Sequence, residues 1–141
     1  MPDYLFDACT LIALFNDEKG ADIASELLDR AERKDITLGI NAANLIEVYY
    51  DRIRQCGSER ADAIIQEIKD TFPITIIETL DPAIVREAAH LKAHGKMSFA
   101  DTILVATALC NSATIVSCDH IELGPIEQQG NIPFLWIRSQ F

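Results

Sequence analysis

The chain has 141 residues, 49% of them apolar, and a formal net charge of -10. This length and composition predict one globular domain, residues 1–141, that can bury a core without disulfides or a structural metal. The acidity argues against a broad electrostatic grip on nucleic acid, because proteins of that kind carry a basic surface. No apolar run approaches the roughly 18 residues of a membrane span, and the N-terminus lacks the features of a signal peptide. We therefore expect a cytoplasmic protein with no membrane association.

The four cysteines are spread along the chain and form no C-x-x-C pair: Cys9, Cys56, Cys110 and Cys118. This spacing predicts neither a zinc site nor a disulfide framework. We expect most of them to be reduced thiols in the core.

The first half of the chain alternates short apolar runs with helical periodicity. Apolar runs predict strands at residues 4–6 and 37–40. Apolar residues at helical spacing predict helices over 11–15, roughly 21–34 and 44–56, the last with Ile46, Tyr50 and Ile53 along one stripe. Gly57 is a plausible stop for this helix, and Ser58 could cap the next one, which ends where Phe72-Pro73 breaks it.

The second half continues the alternation. Residues 74–77 are β-branched and predict a strand, and Asp81-Pro82 opens a helix that ends near His94-Gly95. Ser98-Phe99-Ala100-Asp101 resembles a capping box and opens an apolar helix over 102–110. Strands follow at 114–117 and 134–137, with a looser connection expected from Gly124 to Pro133. Alternating strands and helices predict an α/β fold, a three-layer α/β/α sandwich around a mostly parallel sheet.

Four acids fall where they can reach one edge of this sheet. Asp7 directly follows the first strand, and Asp119 comes just after the strand at 114–117. Glu47 lies near the start of the helix after the second strand, and Asp101 lies in the first turn of the helix before residue 114. The crevice beyond the carboxyl ends of parallel strands is where such sheets bind ligands. Each acid alone also has a structural explanation, as a helix cap or a solvated side chain.

Together, four carboxylates in one crevice repel one another unless cations lie between them. Hard oxygen ligands without a Cys/His cluster select Mg²⁺ or Mn²⁺ over zinc. Such ions suit phosphoryl chemistry, because they lower the pKa of water and offset charge on the reacting phosphate.

Four segments carry these acids, and their order and spacing are distinctive. They are Leu5-Phe6-Asp7-Ala8-Cys9, Asn44-Leu45-Ile46-Glu47, Ser98-Phe99-Ala100-Asp101-Thr102-Ile103-Leu104 and Ile115-Val116-Ser117-Cys118-Asp119. Across nearly the whole chain this set resembles the PIN-domain family, and within it the small single-domain toxins of VapC type.

The resemblance implies a Rossmann-like sandwich and Mg²⁺- or Mn²⁺-dependent endonucleolytic cleavage of RNA. For the toxin branch, it implies a homodimer and a small cognate antitoxin, as in a type II toxin-antitoxin pair. The metal site would be Asp7, Glu47, Asp101 and Asp119, and Asn44 and Ser117 would orient those ligands.

The sequence departs from the family pattern in two places. Cys9 stands where the family commonly has Ser or Thr two residues after the first Asp. After the last Asp, the segment His120-Ile121-Glu122 keeps only part of the usual pattern, so Glu122 is either a further oxygen ligand or a solvated residue. The number of metals therefore stays open at one or two.

Other functions use acids beyond parallel strands. A haloacid-dehalogenase-type phosphohydrolase would want a second Asp where Cys9 stands, and a receiver domain would want adjacent early acids and a late Lys that are not evident. A housekeeping PIN nuclease without an antitoxin and a non-catalytic PIN-like scaffold that binds RNA or protein both remain alternatives.

Several further residues have two interpretations. His120 is a substrate contact or proton donor, or simply a loop histidine. Arg52 could contact phosphate or lie on a solvated helix face, and Trp136 could stack on a base, although core packing is favoured. An apolar face on the helix from Ala61 to Phe72 would suit a dimer or antitoxin contact if exposed.

Overall fold

The computed structural model describes residues 1–140. Twelve elements follow one another, and every predicted strand and helix is present. In chain order they are β1 Tyr4–Phe6, α1 Ala8–Phe15, α2 Ala21–Glu32, β2 Leu38–Asn41, α3 Ala42–Cys56, α4 Ser58–Asp70, β3 Ile74–Ile77, α5 Pro82–His94, α6 Phe99–Asn111, β4 Thr114–Ser117, α7 His120–Gln128 and β5 Phe134–Trp136.

The five strands form one sheet in the order β3-β2-β1-β4-β5, and every pairing in it is parallel. Strand β1 lies at the centre, with Tyr4 opposite Leu38 of β2 on one side and Thr114 of β4 on the other. All five strands therefore end at the same edge of the sheet. The residues that follow β1, β2 and β4 meet at the middle of that edge.

Helices cover both faces of the sheet, because successive strand residues point to opposite sides. Phe6 and Val116 pack in a core with helices α1 to α4, whereas their neighbours Leu5 and Ile115 pack in a second core with α6 and α7. The three-layer α/β/α sandwich predicted from the sequence is thus confirmed. Among residues 1–140, no helix is long and apolar enough to cross a membrane.

Helix α7 lies partly in the segment that we expected to be a loose connection from Gly124 to Pro133. That prediction is wrong for its first part, because Gly124 and Pro125 lie inside the helix. The Asp119 carboxylate caps α7 by accepting from the backbone N–H of Glu122. Buried Leu123 and Ile126 then dock the helix on the sheet, and this packing outweighs the weak helix propensity of Gly and Pro.

The prediction that Ser58 caps α4 is also wrong. Ser58 is the first residue of that helix, and Gly57 is its N-cap with no side-chain hydrogen bond. Gly57 also ends α3 with a φ of 85°, a conformation that glycine adopts without the steric cost of a side chain.

The stripe predicted on α3 faces solvent. Ile46, Tyr50 and Ile53 are exposed, whereas the buried side of the helix carries Leu45 and Val48. By contrast, the apolar face of α4 that we considered for a protein contact is packed into the core, with Ile65 and Ile68 buried. The exposed apolar surface therefore lies on α3 rather than α4.

Two expectations about individual side chains also fail. Arg52 neither faces solvent nor lies open to a phosphate: it is buried and donates to Asn16 Oδ1 at 2.6 Å and to Asp51 Oδ2 at 2.7 Å. The cysteines are not core thiols, since Cys110 is exposed and the other three are only partly buried. All four cysteines lie near the start or end of a helix or strand, where the chain leaves the core.

Candidate metal centre

Three of the four predicted acids converge at the carboxyl edge of the sheet. Asp7, Glu47 and Asp101 each offer a carboxylate oxygen within 4.8 Å of the other two. Asp7 and Asp101 are buried, and Glu47 is partly buried. Residues separated by up to 94 positions in the chain thus share one small volume.

Asp119 lies beside this trio without being part of it. Its negative charge contributes to raising the pKa of Asp7, Glu47 and Asp101, so it is close enough to act on all three. One of its oxygens, Oδ1, accepts from the backbone N–H of Glu122 at 3.1 Å. The structure therefore brings three acids together and holds the fourth at the border as the cap of α7.

Asp7 is the most firmly held of the acids. The backbone N–H of Ala8 donates to Oδ1 at 2.7 Å, and the Ser117 hydroxyl donates to Oδ2 at 2.8 Å. Burial raises the pKa of Asp7 from 3.8 to about 6, and the charge of Glu47 adds to the rise, although the hydrogen bond from Ser117 opposes it. Asp7 is consequently a carboxylate whose negative charge is costly in the absence of a cation.

Ser117, which the family resemblance implied as an orienting residue, links the ends of β1 and β4. Its side chain is fully buried and, besides donating to Asp7, accepts from the backbone N–H of Asp119 at 3.0 Å. A single hydroxyl thus fixes two of the predicted acids relative to each other.

The Asp101 carboxylate does not cap the Ser98 backbone N–H, because a residue from another helix takes that place. Ser98 caps α6 by accepting from the Asp101 backbone N–H at 3.2 Å, as the capping-box pattern predicted. In a complete box, the acid at Asp101 would accept from the Ser98 backbone N–H. Instead Glu122 Oε1 accepts from that N–H at 2.9 Å.

The Asp101 side chain can therefore point into the cluster. Burial and the charge of Asp7 raise its pKa from 3.8 to about 7, although its own hydrogen bond with the Ser98 side chain lowers that pKa. The sequence did not reveal this arrangement, because Glu122 lies 24 residues away from Ser98. Glu122 does not belong to the acidic trio, and it is not simply a solvated residue. It stabilises the start of α6 by accepting a hydrogen bond from the Ser98 backbone N–H.

Glu47 is supported by Asn44, the second residue that the family resemblance implied. Asn44 is buried, and its Nδ2 donates to Glu47 Oε1 at 3.4 Å. Burial raises the pKa of Glu47, followed by the charge of Asp101. The Oδ1 atom of Asn44 is buried without a hydrogen-bond partner among the described residues.

These side chains fit a divalent cation. The trio offers only carboxylate oxygens, the donor type that Mg²⁺ and Mn²⁺ prefer. Three mutually repelling acids with raised pKa values, next to an unpaired buried amide oxygen, leave negative potential that no Lys or Arg in the cluster offsets. A cation would relieve this repulsion, because it converts the charges into ligands.

His120 does not face the acids. Its Nε2 lies 2.9 Å from the carbonyl oxygen of Arg138, and its ring stacks on Trp136 with 3.9 Å between centroids. Trp136 in turn stacks on Phe134 and donates from Nε1 to Glu127. The histidine is thus part of an aromatic stack at the β5 edge, where Trp136 is partly buried and packs against the second core, as favoured from the sequence.

Cys9 and Cys118 form a contact that sequence reasoning missed. The backbone N–H of Cys118 donates to Cys9 Sγ at 3.1 Å, and the interaction between the two cysteines raises the pKa of Cys9 and lowers the pKa of Cys118. Cys9 also lies 3.6 Å from Asp7 Oδ2 and 3.4 Å from Ser117 Oγ. The one available signal was that each cysteine lies within two positions of a predicted acid.

The family model of the PIN domain matches residues 4–121. The chain belongs to the PIN-domain family. The match spans all four acids, so the resemblance inferred from their order and spacing is confirmed. For this PIN-domain chain, family membership supports nuclease activity as the general class.

Solved structures of similar fold cover almost the whole PIN-domain chain. A DNA-bound VapBC of Salmonella typhimurium has a TM-score of 0.70 at 15% identity and covers 98% of this chain and 100% of that one. VapBC-1 from nontypeable Haemophilus influenzae has a TM-score of 0.70 at 12% identity, covering 96% and 98%. VapC20 of Mycobacterium tuberculosis, a toxin that cleaves the sarcin-ricin loop, has a TM-score of 0.65 at 15% identity, covering 92% and 96%. At these identities the likeness establishes the fold. No curated protein sequence matches the chain significantly.

Proposed function

We propose that this chain is a Mg²⁺- or Mn²⁺-dependent endoribonuclease that acts in the cytoplasm as the toxin of a type II toxin-antitoxin pair. The observation that carries the proposal is the convergence of Asp7, Glu47 and Asp101 within 4.8 Å, in a chain of the PIN-domain family. Asp119 at the border of the trio is the proposed fourth ligand, with Asn44 and Ser117 as the residues that orient the set.

The chain's own contribution is to hold the carboxylate oxygens in fixed positions. Ala8 and Ser117 fix Asp7, and Asn44 fixes Glu47. When bound, a divalent cation supplies positive charge against the phosphodiester and lowers the pKa of water, so that hydrolysis proceeds near neutral pH. Side chains that are already held by hydrogen bonds lose little entropy on binding, and this supports a preorganised site.

RNA as the substrate is supported by the activity of one structural relative. The Mycobacterium tuberculosis VapC20 toxin cleaves the sarcin-ricin loop, which is RNA, and its fold matches 92% of this chain. The net charge of -10 indicates that affinity for RNA would come mainly from cations at the cluster and from a few local contacts.

An antitoxin partner and a homodimer are supported by the surface of α3. Ile46, Tyr50 and Ile53 form an exposed apolar stripe, and Ile46 is 63% exposed. Contiguous apolar surface of this kind is typical of protein contacts. A solved structure of similar fold from Klebsiella pneumoniae is named as a toxin-antitoxin complex.

The activity is tested by incubating purified wild-type protein with mixed structured RNAs in Mg²⁺ or Mn²⁺, with and without EDTA. We expect discrete products from the wild type, none in EDTA and none from Asp7→Asn. An Asp22→Asn variant, which removes an exposed acid of α2, serves as the matched control and should cut normally.

Cutting by Asp7→Asn, or cutting in EDTA, would contradict the proposed site. A folded protein that neither cuts RNA nor binds Mn²⁺ in calorimetry would favour the non-catalytic scaffold. Cutting without a partner that relieves it would favour a housekeeping nuclease.

The partner is tested in a bacterial host. Expression of the wild type should arrest growth, and co-expression of a short open reading frame immediately upstream should restore it. Ile46→Asp should weaken co-purification of that partner while leaving the protein folded, because Ile46 contributes little to the core. Ile23→Asp, on the exposed side of α2, is the control. Unchanged co-purification of Ile46→Asp would exclude the α3 stripe as the contact.

A further inference from the structure

Two thiols meet next to the acidic trio. Cys9 lies in the first turn of α1, two residues after Asp7, and Cys118 follows the end of β4. The backbone N–H of Cys118 donates to Cys9 Sγ at 3.1 Å, so the Cys9 sulfur lies directly against Cys118. Both residues are only partly buried.

The backbone holds Cys118 close to the Cys9 sulfur. Since an N–Cα bond is about 1.46 Å long, Cys9 Sγ lies within roughly 4.6 Å of Cys118 Cα. Two hydrogen bonds to the Val116 carbonyl fix the start of α1 against β4, one from the Asp7 backbone N–H at 3.0 Å and one from Thr10 Oγ1 at 2.9 Å. Rotation of the two side chains can then bring the sulfurs to bonding distance of about 2.05 Å.

We propose that Cys9 and Cys118 are a reversible redox pair that closes an intramolecular disulfide on exposure to a peroxide, and that this cross-link weakens the binding of a divalent cation to the acidic trio. The first part stands on the thiol contact alone. The second part rests on the proposed metal site.

The reaction balances with hydrogen peroxide as the oxidant. The partly exposed Cys118 sulfur attacks one peroxide oxygen, an S–O bond forms and the O–O bond breaks, and the departing hydroxide takes the thiol proton to give water. The Cys9 sulfur then attacks the sulfenic sulfur, the S–S bond forms and the S–O bond breaks, and this hydroxide leaves as a second water with the Cys9 proton. The two sulfurs lose two electrons and the peroxide gains them.

The cross-link acts on the cluster through Asp7 and Ser117. In the reduced protein, the Cys9 thiol donates to Asp7 Oδ2 at 3.6 Å and contacts Ser117 Oγ at 3.4 Å. A disulfide removes the S–H donor and draws Cys9 Sγ toward Cys118. The hydroxyl that fixes Asp7 then loses its sulfur partner. Loss of such an outer contact typically lowers metal affinity by about tenfold.

The experiment uses a Cys56→Ser/Cys110→Ser double variant of the full chain, which leaves only the Cys9–Cys118 pair. Matched proteins carry Cys9→Ser or Cys118→Ser in the same background. Each is treated with hydrogen peroxide, and free thiols are then blocked and the intact mass and non-reduced peptides are measured. Mn²⁺ affinity is measured by calorimetry before oxidation, after oxidation and after treatment with dithiothreitol. Circular dichroism checks that each variant is folded.

We expect the double variant to lose the mass of two hydrogen atoms and to yield a cross-linked Cys9–Cys118 peptide. Its Kd for Mn²⁺ should rise by about tenfold and return on reduction. Neither single-cysteine variant should form the intramolecular cross-link.

Two thiols that stay free, or are oxidised separately, would overturn the redox pair. A cross-link that leaves the Kd unchanged would overturn its effect on the cluster. If the reduced protein binds no Mn²⁺, the proposed metal site fails, and the peptide map still decides whether the disulfide forms.

Discussion

Replacing Asp7 by Asn should stabilise the cation-free protein while abolishing nuclease activity. Burial raises the pKa of Asp7 from 3.8 to about 6, so its ionisation costs the folded state free energy that the unfolded chain does not lose. A shift of this size corresponds to about 3 kcal/mol above pH 6, and the side chain is only 4% exposed, so solvent screening reduces it little. Asn carries no charge and avoids this cost.

The asparagine also suits the hydrogen bonds already present. Its Oδ1 can accept from the Ala8 N–H, and its Nδ2 can donate to Ser117 Oγ, which has a second lone pair besides the one that accepts from the Asp119 N–H. The Ser117 proton can turn to Cys9 Sγ, 3.4 Å away. The substitution therefore keeps partners for the Ala8 N–H and for the Ser117 hydroxyl, and the weak donor that loses its acceptor is the Cys9 thiol.

The sign of the effect depends on pH. Below pH 3.8 the Asp7 carboxyl is protonated in both the folded and the unfolded chain, so the two proteins should be equally stable with respect to this group. As pH rises from 3.8 toward about 6, the unfolded state ionises first, and the wild type loses stability relative to Asp7→Asn. Above pH 6 the difference should be complete.

The assay is urea unfolding in EDTA at acidic and mildly alkaline pH, followed by circular dichroism, with Asp22→Asn as an exposed-acid control. Mn²⁺ at about 1,000 times its Kd should reverse the order, because it stabilises the wild type by about 4.1 kcal/mol, more than the charge costs, and the variant much less. If Asp7→Asn is no more stable than the wild type at alkaline pH in EDTA, Asp7 does not bear a buried, unrelieved charge.

Three further changes test the surroundings of the cluster. Mn²⁺ affinity should rise with pH through the pKa values of about 6 for Asp7 and about 7 for Asp101, because both acids must lose their protons to bind the cation. Calorimetry that finds the same affinity from about pH 5 to about pH 8 would contradict this prediction. Ser117→Ala should raise the pKa of Asp7 further and weaken Mn²⁺ binding by about tenfold, measured by calorimetry, and an unchanged Kd would mean that the hydroxyl does not orient the site. Glu122→Ala should lower the free energy of unfolding, measured in urea, by about 1 kcal/mol, because the Ser98 N–H loses its partner. Glu122→Gln keeps an acceptor oxygen and should lower it less. Equal losses for the two variants would argue that Glu122 does not cap α6.

Much of the fold could be predicted from the sequence because its signals are local. Short β-branched runs such as residues 74–77, and Asp or Ser residues that cap helices, act over a few positions. The parallel sheet then follows from the alternation of strands and helices. The extent of the chain as one domain over residues 1–141 stays a prediction.

The errors arise where distant residues decide. Helix α7 forms in spite of Gly124 and Pro125 because Leu123 and Ile126 dock on a sheet built from earlier segments. The exposed stripe of α3 has the same spacing as a core-facing stripe, and only the position of the sheet distinguishes them.

The position of the acidic trio could be predicted in part, because it depends partly on strand order. Strand order alone places Asp7 and the end of β4 side by side, so their proximity follows from topology. The border position of Asp119 could not be predicted, since it depends on whether this carboxylate caps α7. The Cys9–Cys118 contact depends on side-chain direction at two loop positions, which periodicity does not encode.

The exchange of partners at Ser98 links two parts of the sequence that would otherwise vary independently. Glu122 performs for α6 the capping task that Asp101, in the same helix, would otherwise take. In a homologue or a redesigned chain, loss of the acid at position 122 would leave Asp101 as the nearest replacement cap and draw it out of the cluster. Positions 98, 101 and 122 should therefore be changed as a unit in any protein engineering of this edge, and a graft of the cluster into another scaffold needs the first turn of α7 as well as the four acids.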